Sequence, residues 1–137
     1  EGMFVTIFYA VLDLNSGIIE FSSAGHDDAF LLQGSDALEP LHYMGPAIGL
    51  FESAVYPTQS RKLANGEAML LLTDGVTEAF SADGRVFGTD RLMRLLGRSS
   101  RSGSKAIVES VTQNVSRFST GAEQSDDITA IAVQFRG

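Results

Sequence analysis

Cysteine and tryptophan are both absent from the 137 residues, and histidine occurs only twice. Without cysteine there is no disulfide, no thiolate nucleophile and no Cys-based zinc or iron–sulfur site, which fits a reducing compartment such as the cytoplasm. Basic residues are also few. Ten Lys and Arg stand against 17 Asp and Glu, a net charge of −7, so the surface is poorly suited to phosphate backbones or anionic lipid. Nucleic acid is not an expected partner. The longest apolar-rich run, residues 3–12, is about half the roughly 20 residues that a membrane-spanning helix needs. No membrane insertion is expected. No segment at the start has the basic, apolar and small-residue order of a signal peptide, and the first residue is Glu1 rather than methionine. The expectation is a piece of a longer protein.

What is present has the composition of a folded domain, 44% hydrophobic and 20% charged. The length suits one domain over 1–137, with no repeat or Pro-rich linker to divide it. Residues 4–12 are apolar on both alternating sets, Phe4, Phe8, Ala10 and Leu12 against Val5, Ile7, Tyr9 and Val11. That predicts a strand covered on both sides. Asn15-Ser16-Gly17 supplies a turn into a second strand over 18–23, and 29–33 reads as a third. Residues 35–52 read mainly as loop, and 54–63 as an edge strand because it contains Pro57. The apolar AMLLLT over 68–73 belongs in the middle of a sheet. Thr89 and Ser104 are placed to cap helices over 90–96 and 104–118, with Gly97 as the first helix's stop. Residues 128–135 close the chain as a core strand. The fold class that follows is α+β, antiparallel sheet between covering layers.

Two acidic sites fall at revealing places on this map. Asp74 ends the buried strand 68–73, and Asp126-Asp127 immediately precede the strand 128–135. If these strands are antiparallel neighbours, the carboxylates meet at one rim of the sheet. Gathered carboxylates repel, and a hard divalent cation such as Mg²⁺ or Mn²⁺ relieves the repulsion. The alternative reading is purely structural. Asp74 followed by Gly-Val-Thr-Glu can start a helix, and Asp126-Asp127 can form a polar turn. Glu78, four residues after Asp74, raises a paired-carboxylate glycosidase, but the chain lacks the Trp platforms such clefts use. Gly45, Gly49, Gly84 and Gly88 are followed by no GK[ST], so they read as turn residues rather than a phosphate-cradling loop. His42 has no partner pattern.

Four segments in order, MFVTIFYAVLDLNSGIIEFSSAGH, MGPAIGL, LLLTDGVTEAFSADGRVFGTDRL and QSDDITAIAV, resemble the type 2C metal-dependent serine/threonine phosphatases. The branch they resemble most is the bacterial one typified by the sporulation stage II E phosphatase and by the phosphatases regulating the general-stress sigma factor. The resemblance implies a two-sheet antiparallel β-sandwich flanked by α-helices. It also implies a two-metal Mn²⁺ or Mg²⁺ centre whose bridging water attacks phosphoserine or phosphothreonine without a covalent intermediate. Asp74 and Asp126 fall on metal-ligand positions, and Asp127 on an outer or alternative ligand where many relatives carry Asn. The implied partners are a phosphorylated anti-anti-sigma-like protein and an upstream receiver or sensor domain.

The sequence departs from that pattern twice. The Asp-Gly pair that bridges both metals in relatives lies upstream of the equivalent of residue 3 and has no counterpart here. Asp13, before a hairpin turn, cannot replace it. The chain thus resembles the C-terminal part of the domain, missing its first strands, and is expected to bind Mn²⁺ weakly and to be inactive alone. Its unpaired strand edges suggest homodimerisation. The second departure is at His26, which Asp27-Asp28 follow where relatives carry Asn-Pro-Pro. His26 is read as a structural hydrogen-bonding residue, and the two acids as a solvated loop. A degenerate fold that binds a partner without chemistry, or a purely structural role in a longer chain, are the competing readings.

Overall fold

In the computed structural model, which describes residues 3–26, 29–33, 37–41, 45–99, 103–124 and 126–137, two antiparallel sheets stack face to face. The strands are β1 (Ile7–Leu12), β2 (Ile18–Ala24), β3 (Ala29–Gln33), β4 (Ala37–Pro40), β5 (Gln59–Lys62), β6 (Ala68–Leu72) and β7 (Ala130–Gln134). Two helices, α1 (Thr89–Ser99) and α2 (Ser104–Phe118), lie between β6 and β7 in the chain. One sheet has the order β1-β2-β5 and the other β4-β3-β6-β7.

The two central strands of the larger sheet explain the layering. β3 and β6 are apolar at every position except Gln33, and successive side chains of a strand point to opposite faces. Phe30, Leu32, Ala68, Leu70 and Leu72 therefore face the helices, where they pack with Leu92 and Leu96 of α1 and with Ile107, Val111 and Val115 of α2. The alternate set, Ala29, Leu31 and Met69, faces the smaller sheet and packs with Ile19, Phe21, Leu63 and Phe135. Three layers share two cores, with β3 and β6 contributing to both. Arg91 of α1 ties the helices together, its guanidinium 4.1 Å from the ring centre of Phe118 and 5.5 Å from that of Phe87.

The β1–β2 hairpin closes through its turn. The Asp13 carboxylate accepts the Asn15 N–H at 2.9 Å and the Ser16 hydroxyl at 2.7 Å. The Ser16 hydroxyl, then the Asn15 amide, hold the Asp13 carboxyl below its ordinary value of 3.8. In the 81–85 turn, the Ser81 hydroxyl and then Arg85 do the same for Asp83. A carboxyl lowered in the folded state contributes stability above its unfolded pKa and loses it as pH falls through the folded one. The double variant Asp13→Asn, Asp83→Asn is accordingly expected to lose less stability than the parent on acidification below pH 3.8, measured as Tm against pH. Identical acid limbs would show that the two turns do not couple to folding.

Several sequence expectations are corrected. β1 is not covered on both sides: Ile7, Tyr9 and Val11 are exposed, while Phe8, Ala10 and Leu12 pack on the core. The cause is that the small sheet is an outer layer, with one face toward β3 and β6 and the other bare among the described residues, so its central strand β2 exposes Ile18 in the same way. β7 is an edge strand rather than a core one, and Ile131 and Val133 face outward. The reading of 54–63 as strand holds only for Gln59–Lys62, the part that can pair beyond Pro57. The region read as loop contains β4, paired with β3. Gly97 lies inside α1 instead of ending it. Ser104 is the first helical residue of α2, and its N-cap is Gly103, at φ 83° and without a side-chain capping bond.

Candidate functional site

The pairing of β6 with β7 decides where the acidic residues go. It is antiparallel with Leu72 opposite Ala130, so the chain leaving β6 runs beside the chain entering β7. Thr73 fastens the two. Its N–H donates to the Thr129 carbonyl at 3.1 Å. Its hydroxyl donates to the Asp127 carbonyl at 2.9 Å and accepts the Thr129 N–H at 2.9 Å. One short side chain thus fixes the register between two segments more than 50 positions apart.

Asp74 then opens a turn rather than a helix. Its carbonyl accepts the Glu78 N–H at 2.8 Å and the Thr77 hydroxyl at 3.2 Å, and Val76, fully buried, anchors the turn in the helix-facing core. Gly75 is the point of closest approach, since a Cβ there would lie 2.5 Å from the Asp127 carbonyl oxygen and 3.3 Å from that of Asp126. Only glycine lets the two segments touch. On the other side, the Asp126 carboxylate accepts the Asp127 N–H at 2.7 Å, and the Gln124 amide donates to the Asp126 carbonyl at 2.8 Å. Asp74, Asp126 and Asp127 are all exposed on this one rim.

Other sequence landmarks reach the same end of the sandwich. β3 starts where β6 ends, Ala29 opposite Leu71, so the Gly25-His26 corner after β2 belongs to this rim. Gly45 is bonded to that corner through Gly25 N–H to Gly45 C=O at 2.8 Å and Gly45 N–H to Ser23 C=O at 3.1 Å. The backbone of His26 is held by the Ser23 hydroxyl, which donates to its carbonyl at 2.9 Å and accepts its N–H at 3.2 Å. The ring meets Phe8 edge-on, and its buried Nε2 has no hydrogen-bond partner. Asp27, Asp28 and His42 lie outside the described residues. Asp13 stays in its hairpin turn, spent on Asn15 and Ser16. Gly49 and Gly84 occupy positive-φ positions in a turn and a bend, as read from the sequence, whereas Gly88, also at positive φ, precedes α1 and its carbonyl accepts the Leu92 N–H at 3.2 Å.

The donor set suits a hard cation, because every candidate ligand is a carboxylate oxygen and no thiol competes. Mg²⁺ is commonly held by one or two carboxylates with waters completing the shell, and an exposed rim admits those waters. The set is nevertheless short: among the described residues no group of three or more His, Cys, Asp or Glu is gathered closely enough to hold an ion. Sequence reasoning missed Thr73 and Gln124, whose roles depend on partners that only folding supplies.

A two-sheet antiparallel sandwich with helices on the larger sheet is the architecture of the type 2C phosphatase domains. The phosphatase domain of the cell fate determinant SpoIIE from Bacillus subtilis superposes with a TM-score of 0.74 at 18% identity, over 96% of this chain and 59% of that one. The SiaA-PP2C domain of Pseudomonas aeruginosa gives 0.78 at 22% identity, over 95% of this chain and 51% of that one.

The sequence model described as Stage II sporulation protein E (SpoIIE) matches residues 1–136, and the chain belongs to that family. Among curated proteins it is 35% identical over 131 residues to Protein IcfG of Synechocystis sp., covering 96% of this chain and 20% of that protein. It is 26% identical over 133 residues to the phosphoserine phosphatase RsbU of Bacillus subtilis, covering 96% of this chain and 39% of that protein. The chain thus spans well under half the length of these curated relatives.

Proposed function

We propose that these residues form part of a metal-dependent protein serine/threonine phosphatase domain acting on a phosphorylated regulatory protein, such as an anti-anti-sigma factor, in a bacterial signalling switch. The observation that supports it best is the β6–β7 register, which sets Asp74 beside Asp126 and Asp127 at one rim through the Thr73 bonds. In this reading Asp74 and Asp126 hold Mn²⁺ or Mg²⁺, with Asp127 as the outer or alternative ligand. A divalent cation bound there supplies Lewis acidity toward a phosphoryl oxygen and lowers the pKa of a bound water. The chain's own contribution is positional: Thr73 and Gln124 fix the backbones that carry the acids, and Gly75 sets their spacing. Relatives named as a phosphoserine phosphatase and as PP2C domains support the reaction class. The compartment proposed is the cytoplasm, with a receiver or sensor domain as the input. No helix among the described residues is long and apolar enough to cross a membrane.

The 137 residues on their own are expected to bind Mn²⁺ weakly or not at all and to hydrolyse nothing, since the Asp-Gly pair that bridges the metals in relatives has no counterpart here and no group of three potential ligands is gathered among the described residues. Titration calorimetry of this chain with Mn²⁺ checks the first half, and tight two-site binding would overturn it. The full-length protein, in contrast, should release phosphate from phosphoserine substrates only when Mn²⁺ or Mg²⁺ is present. The second reading, a degenerate fold that binds a phosphoprotein without hydrolysing it, is favoured by the same short ligand set. It is selected if the full-length protein retains the phosphoprotein unhydrolysed at saturating Mn²⁺.

A further inference from the structure

Behind the Asp74 turn lies a cavity of about 470 Å³, within the range of roughly 300–1,000 Å³ usual for ligand sites. It shares its walls with the rim. Gly75 lines it on one side and crowds the Asp127 carbonyl on the other. Gln124 also lines it, and its amide holds the Asp126 carbonyl. A polypeptide advances about 3.3–3.6 Å per extended residue, and the cavity is lined by Gly75 and Gln124, next to Asp74 and close to Asp126 in the chain, so residues near a phosphoserine held at the acids are within reach of it.

The lining selects what can enter. Phe80, Val115 and Ile128 offer an apolar wall. Ser119 contributes a hydroxyl that is buried and has no hydrogen-bond partner, and a buried polar atom of this kind costs free energy until something bonds to it. Glu123 is the one charged residue of the lining, and it takes part in none of the ion pairs among the described residues. An acidic occupant would face this carboxylate in a chain of net charge −7. A wholly apolar occupant would leave the Ser119 hydroxyl unsatisfied and strip water from the exposed Glu123 carboxylate. A long aliphatic stem ending in a cation meets all three demands.

We propose that the cavity receives a Lys or Arg side chain lying within about three residues of the phosphoserine in the substrate protein, with Glu123 and Ser119 bonding its head. The proposal rests on the phosphatase reading and adds a selectivity for basic flanking sequence. It is tested by fluorescence anisotropy of labelled phosphoserine peptides that carry Arg, Ala or Glu at the flanking positions, bound to the full-length protein. The Arg peptide should bind about five- to tenfold more tightly than the Ala peptide, the scale of one ordinary net hydrogen bond beside a solvent-exposed carboxylate, and the Glu peptide most weakly. Glu123→Lys should invert that order without moving Tm, because the residue is exposed, and Ser119→Ala should narrow it. Equal binding of the three peptides, or an order that survives Glu123→Lys, overturns the proposal. Turnover of p-nitrophenyl phosphate, which has no flanking residues, reads the phosphoester chemistry of the unsubstituted protein apart from the cavity. Charge-dependent peptide binding without any turnover of that ester would keep the cavity's role and remove the phosphatase reading.

Discussion

Gly75→Ala is expected to lower stability by about 2–3 kcal/mol, at the upper end of the range for forcing atoms into a packed site. The new Cβ would lie 2.5 Å from the Asp127 carbonyl oxygen and 3.0 Å from its carbon, and both are backbone atoms that cannot rotate away. Relief requires the chain after β6 to move off the chain before β7, which stretches the Thr73 bonds to Asp127 and Thr129. Each kcal/mol corresponds to roughly 3–6 °C in a domain of this size, so the melting temperature should fall by on the order of 10 °C. Gly97→Ala provides the control with the opposite sign. Gly97 lies inside α1, and a methyl group added there would meet no atom within 4 Å. Replacing a helical glycine by alanine adds roughly 0.5–1 kcal/mol. Thermal melts of the two variants separate crowding from backbone entropy; equal shifts would mean that the two segments at the rim are not in contact.

How much of this was legible in the sequence depended on how far each signal reached. β6 carries apolar residues on both faces, and that local pattern led directly to the centre of a sheet; residues 29–33 read only as a strand, although β3 shares the pattern and the central position. The same pattern in residues 4–12 misled, because apolar side chains at Val5, Ile7, Tyr9 and Val11 do not specify what covers them, and β1 lies in an outer layer with that set exposed. Helix ends were misjudged for a similar reason. Thr89, Ser104 and Gly97 have capping chemistry, but Gly103 at positive φ starts α2, and α1 continues through Gly97. Chain order places the acids at one rim only on the condition that their strands pair antiparallel, which β6 and β7 do; order alone leaves a capping or turn role equally open, and the metal-ligand reading comes from the family resemblance. Residue types did not disclose what secures that meeting. Thr73 looks like the last residue of a strand until Asp127, 54 positions away, becomes its partner. The glycine of the Thr-Asp-Gly run is likewise a turn residue until the opposing carbonyl is in place.

Asp74→Asn in the full-length protein is expected to reduce Mn²⁺-dependent phosphoester hydrolysis at least a hundredfold, beyond the roughly 10–100-fold typical of a residue that only orients a ligand. Asp126→Asn should do the same. The informative variant is the pair. Groups that act on one centre are strongly non-additive, so the double variant should be about as impaired as either single one. Two independent turn residues would instead multiply their losses. Stability should move differently from activity. Without metal, the carboxylates on this exposed rim add like charge, and replacing one by the isosteric amide removes it while sparing the backbone bonds of Thr73 and Gln124; at Asp126 the amide oxygen can still accept the Asp127 N–H. Melting temperatures of the metal-free single variants should therefore match or slightly exceed the parent's, and added Mn²⁺ should raise the parent's alone, as a ligand of the folded state must. Parallel losses of stability and turnover would instead assign Asp74 to holding its turn, because a residue needed for the fold lowers both whether or not a cation is present.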